Sequence, residues 1–138
     1  MTDPDHPAVE PWATIDALWA WLDGHRAHDS RETLLLRMLK LSEEVGEAAQ
    51  AVIGATGQNP RKGTTHTWQD VEAELCDVVI TAMVALRTLT PDAGEVFAHH
   101  LARVRERSLG PAGPNGGNGP AGPGEQDAGT GPARAGQA

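Results

Sequence analysis

At 138 residues the chain has room for one domain, and its composition shortens that domain further. The formal charge of −8 argues against a nucleic-acid polymer as partner; anionic substrates stay open, since bound cations reverse a local field. A single cysteine, Cys76, rules out an internal disulfide. No signal-peptide pattern and no bilayer-length apolar run occurs, so a cytoplasmic protein without a membrane partner is expected.

Residues 1–10 are polar and proline-broken and read as a flexible N-terminus. Pro11 suits the first position of a helix. Ile15, Leu18, Trp19 and Leu22 then recur at helical spacing until Asp23-Gly24 weakens the pattern, so the first helix ends there or runs on to His28. Asp29 followed three residues later by Glu32 is a capping-box-like pair. It opens a second helix expected to reach about Ile53, with Gly54 and Gly57 ending it. The segment 57–66 is a loop by its glycines, its Asn-Pro step and its clustered polar residues.

Thr67 with Asp70 announces a third helix, to Leu89. In Thr90-Pro91-Asp92 the hydroxyl suits a cap, the proline a first turn and the aspartate a helix N-terminus. A fourth helix follows to about Ser108. From 110 to 138 the chain has no Val, Ile, Leu, Met or aromatic residue, nothing to offset the entropy of ordering, and reads as a disordered Gly/Pro-rich tail. No segment alternates with period two. The expectation is an all-α domain over 11–109, most simply a four-helix bundle.

Two stretches carry the chemistry. Glu43-Glu44-Val45-Gly46-Glu47 lies on the second helix and Glu74-Leu75-Cys76-Asp77 on the third. Each holds a carboxylate pair three residues apart, Glu44/Glu47 and Glu74/Asp77, and that spacing puts the pair on one helix face. Leu34, Met38, Leu41, Val45, Ala48 and Val52 form an apolar stripe on one helix; Val71, Leu75, Val78, Ala82 and Leu86 do so on the other. Both acidic pairs flank their stripes on the same side. If the stripes pack together, one carboxylate from each pair reaches the margin of the core. Carboxylates gathered there repel unless protons or cations intervene, and an oxygen-only donor set suits Mg²⁺ or Mn²⁺. Glu-x-x-Glu is common on solvated faces, so either pair alone signifies little; the doubled, matched arrangement is rarer.

In order and separation these motifs resemble the signature of MazG-like nucleotide pyrophosphohydrolases, an all-α superfamily. The resemblance covers roughly residues 30–108 and is specific only in the second and third helices. It implies a MazG-like bundle in which Glu44, Glu47, Glu74 and Asp77 ligate Mg²⁺, with Mn²⁺ an alternative, and Glu43 orients or deprotonates the attacking water. It further implies a nucleoside triphosphate substrate, cleaved to monophosphate and pyrophosphate by a metal-activated water. The resembling enzymes are oligomers, several completing their sites across an interface. A homodimer or homotetramer is therefore expected, and the wide apolar arc of the second helix agrees with it.

Weaker signals surround this core. Arg61 and Lys62 are candidates to clamp phosphates, or two solvated loop charges. Arg103 and Arg107 are candidates for phosphate contact, or cations favoured at a helix C-terminus. Trp68 is a candidate for stacking on a base, while Trp19 shares the apolar face of Ile15 and Leu22 and is expected in the core, as is Cys76. Two further readings stand beside the enzyme. One is a non-catalytic nucleotide- or metal-binding regulatory protein of the same fold; the other is a helix-pairing module with solubilising acidic edges.

Overall fold

The computed structural model describes residues 9–110. The expected tail over 111–138 and residues 1–8 of the expected flexible N-terminus lie outside the described residues. Four helices and no strand occur among the described residues: α1 (Pro11–Gly24), α2 (Ser30–Thr56), α3 (Trp68–Leu89) and α4 (Ala93–Leu109).

Local chemistry sets most of these boundaries. The Glu10 carboxylate accepts the N–H groups of Trp12 and Ala13, closing the start of α1. Asp29 accepts the N–H of Glu32 at 2.9 Å and starts α2. At the far end Gly57 takes a left-handed conformation, φ 63°. There the N–H of Gly57 bonds the Gly54 carbonyl and that of Gln58 the Ile53 carbonyl, a Schellman closure. Gly54, expected to end the helix, lies within it. Thr67 and Asp70 form a full capping box for α3.

The expected start of α4 is corrected. Thr90 is extended (φ −148°, ψ 137°), as the residue before a proline tends to be, and closes α3; the new helix begins at Ala93. The Thr90 hydroxyl still accepts the N–H of Asp92, at 3.2 Å, within the connecting turn.

Packing is dominated by the α2–α3 hairpin, with α1 laid against α3. The inward face of α2 carries Thr33, Glu44, Ala48, Ala51 and Gly54, residues small enough to let the helices approach closely, with one carboxylate among them. This corrects the expected stripe: Ala48 is buried and Leu34 and Leu41 half-buried, while Met38, Val45 and Val52 are exposed. The helix is apolar around so much of its circumference that the pattern has no unique centre. Packing chose the small-residue side, because bulky residues there would hold α3 away. The α3 stripe divides less sharply, with Val71 buried, Val78, Ala82 and Leu86 half-buried and Leu75 exposed, and Cys76 lies outside the core.

α1 is fastened to α3 by Arg87, whose Nε donates to Asp16 Oδ1 at 2.6 Å and whose guanidinium lies 4.2 Å from the centre of the Trp19 ring. Trp19 itself is half-buried. Trp12 meets Phe97 at 5.9 Å and lies over Gly94, which joins α1 to the start of α4. On α4 only Ala93 is buried. No helix is long and apolar enough to cross a membrane among the described residues.

Candidate metal centre

Antiparallel packing of α2 on α3 brings the two acidic motifs level with each other. Glu44, Glu74 and Asp77 each present a carboxylate oxygen within 4.8 Å of the others. Glu44 is buried, with 7% of its surface exposed; Glu74 is half-buried and Asp77 exposed. The cluster is thus rooted in the helix interface and open on one side. Glu47, one turn beyond Glu44, is exposed as a residue, yet its carboxyl is shielded from water in part and stands against Glu44 and Glu74. That loss of water, then the charge of Glu44, pushes the Glu47 carboxyl above its usual range.

The negative charge is offset by a neighbouring cation on the same helix. The Lys40 ammonium lies 2.8 Å from Glu44 Oε1 and 3.0 Å from Glu43 Oε2. The hydrogen bond from Lys40 holds Glu44 below the ordinary carboxylate range in spite of burial, and the same bonds raise Lys40 above the usual lysine range. A buried carboxylate without such a partner is strongly destabilising.

The donor set fits a hard divalent cation. With bond lengths of about 2.1 Å, ligands on Mg²⁺ stand roughly 3.0 Å apart when adjacent and roughly 4.2 Å when opposite, so the three oxygens reach one ion once the side chains draw closer together. All the donors are carboxylate oxygens, which disfavours zinc and soft metals. The open side leaves room for the waters and phosphate oxygens that Mg²⁺ keeps around itself.

The other candidate residues stand as follows. Glu43 is exposed and paired with Lys40. Arg61 is exposed in the 57–67 loop, its N–H bonded to Asn59 Oδ1. Lys62 lines a separate cleft of about 330 Å³ with Gln50, Gly54, Asn59 and His66. Trp68 is the first residue of α3 and exposed. Arg103 and Arg107 line a groove on α4 with His100 and Glu106.

Two cations escaped the sequence reading. Lys40 and Arg37 border a cleft of about 240 Å³ whose walls are Leu18, Leu22, Ile80, Thr81 and Val84. It lies directly beside the acidic cluster, since Lys40 is one turn before Glu44 on α2 and Thr81 one turn past Asp77 on α3. The signal was present as Lys40-x-x-x-Glu44, a spacing that on most helices denotes only a surface pair.

No protein-family model, curated protein or solved structure matches this chain.

Proposed function

We propose that the chain is a Mg²⁺-dependent nucleoside triphosphate pyrophosphohydrolase with a MazG-like bundle, acting in the cytoplasm. The observation that carries the reading is the convergence of Glu44, Glu74 and Asp77 from two helices, with Glu47 beside them. These four residues hold Mg²⁺, or Mn²⁺ in its place. When bound, the cation supplies Lewis-acid polarisation of phosphate oxygens and eases deprotonation of water. The chain's own part is positioning and proton transfer. Glu43, exposed at the edge of the cluster, takes the proton from water as it adds to phosphorus. The anhydride bond between the first and second phosphates breaks, giving monophosphate and pyrophosphate. Arg37 and Lys40 offer positive charge to the phosphates from the adjoining cleft, whose apolar walls suit the rest of a nucleotide.

The exposed faces support an oligomer. Leu35, Met38, Ser42, Val45, Ala49 and Val52 follow one another at alternating spacings of three and four along the outside of α2, the period of a helix-pairing seam. On α3, Leu75 and Val79 are exposed as well. Contiguous apolar area of this kind marks an association surface, and its occupant in this reading is a second copy, as a homodimer or homotetramer.

A second reading, a non-catalytic nucleotide- or metal-binding protein, is favoured by one observation: Glu43, the assigned base, is engaged by Lys40. The deciding experiment measures pyrophosphate release from a panel of ribo- and deoxyribonucleoside triphosphates with Mg²⁺, beside Asp77→Ala. Release that is lost in the variant supports the enzyme. Nucleotide-dependent thermal stabilisation with no pyrophosphate released favours the binder.

A further inference from the structure

Among the described residues Lys40 is the cation in contact with the acidic cluster, and it touches the buried member, Glu44, and that residue's exposed neighbour, Glu43, together. It also borders two clefts that share Leu22, Arg37 and Lys40 itself. One ammonium therefore stands at the boundary between the carboxylates and a cationic, apolar-walled cleft. Its stem is flexible, and its charge is compact, with three donors that re-aim easily. A divalent cation on Glu44 repels an ammonium held within 3 Å of the same carboxylate, so the two cannot share it without loss.

We propose that Lys40 is an exchangeable counter-ion: it occupies Glu44 and Glu43 while no metal is bound, and on metal binding it moves into the adjoining cleft to hold a substrate phosphate beside Arg37. The proposal rests on the reading of the acidic cluster as a metal centre. It adds a coupling that the cluster alone does not contain. Departure of Lys40 frees Glu43, so the proton acceptor is released only when the cation has arrived. The charge that protected the empty carboxylates is then reused on the phosphates, and none is left buried without a partner.

The test compares the full-length protein with Lys40→Met, which keeps the stem, and Lys40→Arg, which keeps the charge. Mn²⁺ binding is followed by paramagnetic resonance, inorganic pyrophosphate binding by calorimetry in excess Mg²⁺, and thermal midpoint without metal. Lys40→Met is expected to bind Mn²⁺ about tenfold tighter and pyrophosphate about tenfold weaker, magnitudes set by the loss of one charged hydrogen bond. Its metal-free midpoint falls, with helix content retained. Lys40→Arg recovers most of the wild-type behaviour. The opposite signs are the signature, since a purely structural lysine would not tighten metal binding. Mn²⁺ bound equally or more weakly by Lys40→Met overturns the counter-ion role while leaving the metal centre standing, and unchanged pyrophosphate affinity overturns the transfer to phosphate. Absence of Mn²⁺ binding by every variant overturns the metal centre and the proposal together.

Discussion

Gly54 and His66 are packed so closely that a methyl group on Gly54 would overlap the imidazole ring. Side chains at the end of the 57–67 loop therefore rest on the backbone of the last turns of α2, and the loop is drawn in further by the N–H of Thr65, which donates to the Gly54 carbonyl at 3.0 Å. Gly54→Ala is expected to destabilise the fold by about 1–3 kcal/mol through overpacking. Urea unfolding measures the loss, and amide exchange should quicken at Thr65 and its neighbours. An unchanged midpoint would mean that the loop yields freely.

The capping box of α3 gives a pH-dependent prediction. The Thr67 backbone N–H, and then its hydroxyl, hold the Asp70 carboxyl below the usual range. A depressed carboxylate pKa adds stability above its unfolded value of about 3.9, and this is lost as pH falls through the lower folded value. The stability gap between wild type and Asp70→Asn should thus be constant near neutrality and close as pH drops below about 4. Denaturant titrations across that range check it; a gap independent of pH would show that the carboxylate charge has no part. Thr67→Ala should cost about 1 kcal/mol at neutral pH.

Arg87 joins α1 to the hairpin through Asp16 and the face of Trp19. Removing it takes away an ion pair and a cation–π contact at once. Arg87→Ala should cost about 1–2 kcal/mol, the sum of two modest terms. Trp19 fluorescence should shift to the red as α1 loosens. Arg87→Lys should recover only part, since an ammonium cannot keep both the stacked and the hydrogen-bonded geometry.

The seam along α2 predicts a change in mass. Val45 is 53% exposed and at the middle of the seam, so Val45→Glu would place a charge at the centre of the proposed interface. Light scattering after size exclusion should report an oligomer for wild type and a smaller species for the variant. A wild-type monomer, or a variant of unchanged mass, would remove the seam as an interface.

Much of the helix layout was legible because it depends on local chemistry: Asp29, Gly57 and the Thr67/Asp70 pair each satisfy backbone groups within a few residues of themselves. The two acidic motifs were equally legible as i, i+3 pairs. Which face of α2 turns inward was not. Its apolar residues spread around the helix, and the packed side is chosen by the small residues Ala48, Ala51 and Gly54 meeting α3, a contact that no periodicity within α2 records. For the same reason Glu44 was placed at the margin when it is buried. Lys40 and Arg37 passed unnoticed because their significance comes from a cleft that α1, α2 and α3 enclose together.

The most direct test of the central claim is phosphorus-31 resonance of a nucleoside triphosphate incubated with the protein and Mg²⁺, beside Asp77→Ala. The predicted result is paired growth of pyrophosphate and monophosphate signals for wild type, absent in the variant and restored to wild type alone when Mg²⁺ is returned after chelation. Diphosphate with orthophosphate, or equal turnover by Asp77→Ala, would contradict the account.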